Sequence, residues 1–325
     1  MKKRNLLAAS VMAAFVGSLA TGNALAQEFP SKSMTLVVPN PPGGVVDTAA
    51  RLVSDVMARA LGQPVIVDNR GGASGNIAYQ MVARAPKDGY TLLSSYSAYH
   101  VGNPSLFPKP GWSQSDFVPV GLIVAATNVI AVHPSVPANT LPEFIEYLRK
   151  NPRTVNYASQ GSGSLSHVGT AQFAQMTKTE ITHVPYKGSG PAMQDVLSGQ
   201  VQMFMSTPPS VGPHVKSGKL KALAVTSKTR HPMLPDVPTT GEAGLPGFEP
   251  EAWVGLFAPA GTPPKVLARL SSSLKAALET PEVKQRAMLQ GIEPRFLDAA
   301  ALDQLVKKET DYWGALIKAN NITME

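Results

Sequence analysis

The sequence Pro39-Asn40-Pro41-Pro42-Gly43-Gly44-Val45-Val46-Asp47 determines how this chain folds. It joins a short β-branched run, 34–39, to a run with helical apolar spacing, 46–61, and so predicts a strand that turns directly into a helix. Glycine-rich turns of the same kind recur at 69–76 and 158–166. Repetition of strand, glycine turn and helix predicts an α/β fold.

The three turns share one chemical property, which is that each leaves backbone N–H groups free at the start of a helix. The helix dipole makes such a position favourable for negative charge. In open α/β sheets ligands bind beyond the carboxyl ends of the strands, where all three turns are expected to lie. The turns can therefore converge on one small anion, and they indicate carboxylate binding rather than catalysis.

The order of elements predicts two lobes. Two comparable blocks, 34–126 and 128–226, each contain a strand, a glycine turn and a helix. Three C-terminal helices follow, and packing them on the first block is the simplest arrangement. We therefore expect a two-lobe fold in which each lobe is a mixed sheet flanked by helices. Residues 27–127 plus 229–325 form the first lobe and residues 128–228 the second, with a cleft between them.

The N-terminus predicts export. Lys2, Lys3 and Arg4 form a positive start, an apolar run follows over 6–19, and Ala24-Leu25-Ala26 has the small-x-small pattern of a cleavage site. Residues 1–26 are therefore interpreted as a signal peptide, and the periplasm of a Gram-negative bacterium is the expected compartment. A membrane anchor is the alternative, but the apolar run is short for a bilayer span.

Composition excludes several classes of protein. The 325 residues include no cysteine, which removes disulfides and thiolate chemistry. The formal charge of +7 falls to +4 without the three N-terminal basic residues, leaving 26 basic against 22 acidic residues. Because the remaining basic residues are scattered, we expect no nucleic-acid partner. We expect a monomer without a cofactor.

Catalytic and metal-binding signatures are absent from the sequence. It contains no G-x-S-x-G elbow, no G-x-G-x-x-G motif and no P-loop, and its six histidines include no pair at metal-ligand spacing. We therefore predict neither a metal site nor an enzyme. An exported hydrolase that uses Ser162 or Ser164 with His167 remains the enzymatic alternative, since a triad can be assembled in space.

The candidate ligand-binding residues lie in the turns and at strand ends. Asp47 could bond a donor group of a ligand, or it could only support its own helix. Ser94, Tyr96 and Ser206 could line the cleft or cap their strands, and His167 could contact ligand or lie on a helix surface. The complete set is Pro41, Gly43, Gly44, Asp47, Gly72, Ala73, Ser74, Gly75, Asn76, Ser94, Tyr96, Gly161, Ser162, Gly163, Ser164, His167 and Ser206.

Several motifs, in order along nearly the whole mature chain, carry a family resemblance. They are Leu36-Val37-Val38-Pro39-Asn40-Pro41-Pro42-Gly43-Gly44 with Asp47 and Arg51, Leu61-Gly62-Gln63-Pro64-Val65, Val67-Asp68-Asn69-Arg70, Asp88-Gly89-Tyr90-Thr91-Leu92, His183-Val184-Pro185-Tyr186-Lys187-Gly188, Leu234-Pro235-Asp236-Val237-Pro238-Thr239 and Phe257-Ala258-Pro259-Ala260-Gly261-Thr262-Pro263. With these motifs the chain resembles the extracytoplasmic solute receptors of the Bug type, the substrate-binding components of tripartite tricarboxylate transporters.

The resemblance implies a Venus-flytrap fold of the type II kind and a small organic acid held largely by backbone groups. It also implies delivery of that acid to membrane permease subunits. A ligand sensor for a membrane signalling partner would use the same closed shape, so the sequence leaves that alternative open. One departure stands out, because the second turn usually reads Gly-Ala-Gly-Gly in this family and here reads Gly72-Ala73-Ser74-Gly75. The acid itself, whether dicarboxylate, tricarboxylate, amino acid or aromatic acid, does not follow from the resemblance.

Overall fold

The structure, a computed structural model, describes residues 28–320 and residue 322. The predicted signal peptide, residues 1–26, lies outside the described residues. Within the described part, no helix combines the length and the apolar character needed to cross a bilayer.

Eleven strands of the described residues divide between two mixed sheets. The strands are β1 Met34–Val38, β2 Val65–Asn69, β3 Thr91–Tyr96, β4 Phe117–Ala126, β5 Val129–Val132, β6 Asn156–Ser159, β7 Thr182–Pro185, β8 Met203–Ser206, β9 Lys221–Val225, β10 Ala252–Pro259 and β11 Glu293–Pro294. The first sheet has the order β11-β4-β10-β3-β1-β2 and the second the order β7-β6-β8-β5-β9. In the first sheet β1 runs parallel to β2 and β3, whereas β10 runs antiparallel to β3 and β4. The prediction of a two-lobe α/β fold with mixed sheets is confirmed.

Helices cover these sheets and connect their strands. They are α1 Val45–Leu61, α2 Asn76–Ala83, α3 Ser97–Leu106, α4 Leu141–Lys150, α5 Leu165–Thr177, α6 Ser189–Leu197, α7 Pro208–Lys216, α8 Pro264–Glu279, α9 Pro281–Leu289 and α10 Ala299–Ala319. Helix α1 shows why the sequence folds in this way, because Ala49, Leu52, Val53 and Val56 recur at helical spacing and are all buried. The helix ends at Gly62, whose φ of 72° lies in the left-handed region that favours glycine.

The second sheet is covered by apolar residues on both faces. Alternate residues of β5 point to opposite sides, so that Ile130 and Val132 belong to one core and Val129 and Ala131 to the other. The first lobe has a core of its own, and Leu165 of α5 extends into it from the second lobe. Helix α5, which follows the third turn, therefore packs across the junction of the lobes.

The return of the chain to the first lobe comes later than the sequence predicts. Leu234 and Val237 pack on one face of the second sheet, and Phe248 packs on the other. The core of the first lobe resumes at Ala252. The boundary predicted at residue 229 is therefore corrected to the stretch between Phe248 and Ala252. Proline- and glycine-rich segments without helical periodicity carried no signal of this packing.

Hydrogen bonds connect the chain segments that pass between the lobes. The Pro250 carbonyl oxygen accepts from Asn128 Nδ2 at 3.2 Å and from Thr226 Oγ1 at 3.0 Å. Thr226 Oγ1 also accepts the Asn128 N–H at 2.9 Å and lies 3.1 Å from Thr127 Oγ1. These bonds join the two crossing segments into one unit, called the hinge segment below.

Candidate functional site

The first and second turns lie side by side because β1 and β2 are parallel neighbours. Their register pairs Val38 with Asn69 at the carboxyl ends of the strands. Arg70 N–H donates to the Val38 carbonyl oxygen at 2.7 Å, and Asn69 Nδ2 donates to the Asn40 carbonyl oxygen at 3.0 Å. The two turns thus form one continuous edge of the first lobe.

Asp47 is the internal anchor of this edge. Its carboxylate accepts hydrogen bonds from Gly43 N–H, Arg51 Nε and Asn69 Nδ2, each at 3.0 Å, and the residue is only 4% exposed. Burial alone would raise the pKa of Asp47, but the hydrogen bonds from Arg51, Gly43 and Asn69 outweigh it and hold the pKa below its usual value. These contacts are those expected if Asp47 supports its own helix and turn, which is the second of the two roles predicted for it.

The first turn exposes donors at its helical end. Pro41 and Pro42 have no N–H group, and the N–H of Gly43 is occupied by Asp47. Helix α1 begins at Val45 after Gly44, which provides no side-chain cap. The N–H groups at the start of this 17-residue helix are consequently open to an external acceptor.

The second turn has an unusual backbone conformation. Four successive residues have positive φ values, namely Gly72 at 116°, Ala73 at 47°, Ser74 at 51° and Gly75 at 82°. At Ser74, a non-glycine residue, the left-handed conformation costs about 1–2 kcal/mol. Strain of this kind is found where the surrounding structure enforces a functional geometry.

Two buried contacts fix the second turn from behind. A Cβ atom on Gly75 would lie 2.5 Å from the Tyr99 ring, so glycine is required there. The Asn76 side chain points away from the turn surface, since its Oδ1 accepts from Trp112 Nε1 at 2.7 Å and Asn103 Nδ2 at 3.0 Å. Asn76 therefore supports the turn by its side chain.

The third turn does not assemble a hydrolase. Ser164 caps helix α5, donating to the Gly161 carbonyl oxygen at 2.6 Å and accepting from His167 N–H at 3.3 Å. The His167 ring accepts the Gly163 N–H at its Nδ1, 3.2 Å away. Within the described residues neither Ser162 nor Ser164 is hydrogen-bonded to that ring, so a serine activated by His167 has no geometric basis.

Three strand-end residues of the predicted set have different surroundings. Ser94 is fully buried beside the Val46 carbonyl oxygen, because helices cover this part of the sheet. Tyr96 is partly exposed and packs edge-on against Tyr99 with ring centroids 5.2 Å apart. Ser206 is buried, and its hydroxyl has no hydrogen-bond partner among the described residues. The expectation that Ser94 lines the cleft edge is thus at odds with its burial.

A cavity of about 310 Å³ lies between the first turn and the second lobe. Gly43, Val45 and Thr48 line it from the first lobe. Gln290, Gly291 and Ile292, which follow α9, also line it from the first lobe. The second set faces them from the second lobe and consists of Thr207, Pro209 and Ser210, which follow β8; of these, Pro209 and Ser210 were not predicted from the sequence. Paired prolines after a strand, at 41–42 and again at 208–209, were the signal that could have identified the second set.

The third turn lies on the same edge as this cavity. Strands β6 and β8 are parallel neighbours, so the turn after Ser159 and the turn after Ser206 leave the sheet at one edge. The lobes approach each other closely here, because a Cβ on Gly291 would overlap the Pro209 ring. The first turn thus lines this cavity directly, and the third turn leaves the second sheet at the same edge as the residues that face it.

Two other cavities lie at the lobe junction. One of about 290 Å³ is lined by Thr127, Arg230, His231, Lys284 and other residues near the hinge segment. A larger one of about 410 Å³ lies between α5 and α10, where Arg295 is bonded to Glu251 at 2.8 Å. The larger cavity touches the third turn only at Leu165, whereas Gly43 of the first turn lines the cavity between that turn and the second lobe.

Comparison with protein families gives a match over most of the chain. Residues 49–322 match the model of the tripartite tricarboxylate transporter family receptor. A protein encoded between tcbD and tcbE in a Pseudomonas species is 39% identical over 312 residues, covering 94% of this chain and 93% of that protein. Protein BugT of Bordetella pertussis is 35% identical over 295 residues, 90% of each chain.

Solved structures give the same result at the level of the fold. A Rhodopseudomonas palustris protein with adipate is 34% identical, with a TM-score of 0.79 over 91% of this chain and 100% of that one. MatC of Rhodopseudomonas palustris, with bound malate, is 36% identical, with a TM-score of 0.74 over 89% of this chain and 100% of that one. Both adipate and malate carry two carboxylate groups.

Proposed function

We propose, since this chain belongs to the receptor family of tripartite tricarboxylate transporters, that it captures a small organic acid through the backbone of its three glycine turns. The protein is a solute-binding receptor and not an enzyme, as the family and its solved members are receptors. It works in the periplasm, and its partner is the membrane part of the transporter. We further propose that it acts as a monomer whose signal peptide, residues 1–26, is removed.

One observation carries the proposed binding mode. Among the described residues, no charged side chain lines the cavity between the first turn and the second lobe, yet the uncapped start of α1 opens onto it beside Gly43 and Val45. An anion there is bound by N–H groups and hydroxyls, which form charge-assisted hydrogen bonds to a carboxylate. The exposed Pro41, Gly44 and Gly72–Ala73 backbone belongs to the same proposed surface.

The second lobe supplies the opposite wall in this proposal. Gly161 and Ser162 are partly exposed at the third turn, and Thr207 and Ser210 line the cavity after β8. Ligand contacts from both lobes stabilise the closed arrangement, which is how a receptor of this type signals that it is loaded. Adipate and malate, bound by two related proteins, suggest that the acid has two carboxylates, one for each lobe.

A thermal-shift screen tests the proposed function. The protein from Gln27 onward, unfolded and refolded to remove any bound ligand, is heated with mono-, di-, tri- and aromatic carboxylates. An acid at 100 times its dissociation constant should stabilise the protein by about 2.7 kcal/mol. The diamide of the best acid is the matched control and should give no shift, because it lacks the negative charge. Absence of a shift with every acid, from protein shown by mass spectrometry to be ligand-free, would overturn the proposal.

A further inference from the structure

The backbone N–H groups of the third turn are almost all occupied within the lobe. Four of the five in residues 160–164 have internal acceptors: Gln160 bonds Ser166 Oγ at 3.0 Å, Gly161 bonds Ser159 Oγ at 3.2 Å, Gly163 bonds His167 Nδ1 at 3.2 Å and Ser164 bonds the Gly161 carbonyl oxygen at 3.1 Å. Ser162 N–H is the remaining one, and it has no partner among the described residues. The turn therefore presents a single backbone donor.

His167 holds the turn from the helix side. Its Nδ1 accepts the Gly163 N–H, so that nitrogen carries no proton and the ring has its proton on Nε2. The residue is 8% exposed, and Gly163 is buried as well. The bond consequently pulls the Gly163 N–H inward, away from the cleft.

His183 holds the turn from the neighbouring strand. Its Nε2 lies 2.6 Å from Ser159 Oγ, and this hydroxyl also accepts the Gly161 N–H. Strand β7, which carries His183, pairs with β6 so that His183 lies opposite Tyr157. His183 thus fixes the Ser159 hydroxyl, which in turn fixes Gly161.

The two histidines support each other as neutral rings. Their centroids are 3.7 Å apart with planes 15° from parallel, and Tyr157 stacks on His183 at 5.0 Å. Burial lowers the pKa of His167 to about 3, with a smaller effect of His183, and burial lowers the pKa of His183 to about 4. Both rings are therefore uncharged near neutral pH, as the acceptor role of His167 requires.

We propose that His167 and His183 are positioning residues that hold the Gly161 and Gly163 N–H groups inward and leave Ser162 N–H as the turn's one donor to the ligand. The role in ligand binding rests on the proposed function of the cleft. The geometric part, that the two histidines hold the Gly161 and Gly163 N–H groups inward, does not depend on which ligand is bound. This arrangement gives the third turn a single backbone contact to a carboxylate oxygen.

Amide hydrogen exchange of the ligand-free protein tests the geometric part. In the wild type, the Gly161 and Gly163 amides should exchange slowly and the Ser162 amide rapidly, because only bonded amides are protected. His167→Ala should release Gly163, and His183→Ala should release Gly161. Fast exchange of Gly163 in the wild type, or protection of Gly163 that persists in His167→Ala, would overturn the inference whether or not a ligand is known.

Affinity measurements with conservative variants test the positioning role. The probe is the acid that gives the largest thermal shift, titrated by calorimetry. His167→Ala and His183→Ala should each raise its dissociation constant about tenfold, the effect of weakening one hydrogen bond to a charged group. His167→Asn keeps an acceptor at the Nδ1 position and His183→Gln keeps a polar group at the Nε2 position, so both should stay near wild-type affinity. If an alanine variant fails to fold, its conservative partner still tests the same bond by amide exchange.

A control histidine separates positioning from general loss of stability. His133 is hydrogen-bonded to Ser135 in the second lobe, but it follows the opposite end of the sheet from the turns. His133→Ala should leave the dissociation constant unchanged. If His167→Ala and His183→Ala bind the acid with wild-type affinity, the positioning role is refuted and the proposed function is not. If the wild type binds no carboxylate, the proposed function is refuted, and the amide exchange result alone decides whether the two histidines hold the turn.

Discussion

Replacement of Gly43 by valine is expected to raise the dissociation constant for the bound acid by at least about 100-fold, since it disturbs two charge-assisted hydrogen bonds that are each worth about 1.5–3 kcal/mol. Gly43 has a φ of 90°, a conformation that a β-branched residue adopts only at a cost. No atom lies within 4 Å of a Cβ placed there, so the effect arises from backbone strain and not from collision. Relief of that strain moves the start of α1, which supplies the proposed donors. Calorimetric titration measures the change.

Gly218 provides the matched control. It also has a positive φ, 70°, and open space around a Cβ position, but it lies in an exposed turn after α7. Gly218→Val should lose a comparable amount of stability, about 1–3 kcal/mol for one strained residue, without losing affinity. Equal affinities of the Gly43 and Gly218 variants would place the ligand away from the first turn.

Replacement of Asp47 by alanine is expected to weaken the binding of all acids by a similar factor of about 10–100, with a loss of stability of several kcal/mol from its stranded donors. The carboxylate is hydrogen-bonded to Gly43, Arg51 and Asn69, so its removal loosens the first and second turns together. The pKa of Asp47 is lowered, and its contribution to stability is therefore present above its usual pKa of 3.8 and lost as the pH falls below that value. Urea unfolding should show a variant-to-wild-type difference that is larger at pH 7 than at pH 3.

Asp303 is the control for this prediction. It forms an ion pair with Lys307 at the same i,i+4 spacing as Asp47 with Arg51, but on the exposed face of α10. Asp303→Ala should change stability by less than about 1 kcal/mol and leave binding intact. Selective weakening of only those acids that carry a donor group would instead assign Asp47 a direct ligand contact.

The strands and turns of this fold could be predicted because their signals are local. The apolar spacing of α1 and the glycines that follow β1 are visible over a few residues, and both appear where expected. Helices α3 and α7 lack such signals. Helix α3 contains Pro104 and helix α7 contains Pro213 in its interior, so local sequence rules argue against both helices although tertiary packing accommodates them.

Side-chain roles in the cleft were harder to predict because they depend on distant partners. The bond between Asp47 and Asn69 exists only because β1 and β2 pair in one particular register. The stacking of His167 on His183 likewise needs α5 and β7 to meet across β6. Ser94 looked accessible at a strand end, but coverage of the sheet buries it. The identity of the acid leaves even less trace, since a ligand held by backbone groups places few demands on side-chain chemistry.

The most direct test of the account is a crystal structure of the protein with the acid that gives the largest thermal shift. The account predicts one ligand per chain between the lobes, with one carboxylate accepting from the N–H groups at the start of α1 and another oxygen accepting from Ser162 N–H. A ligand bound instead to Arg230, His231 and Lys284 in the cavity near the hinge segment, or held chiefly by cationic side chains, would contradict it.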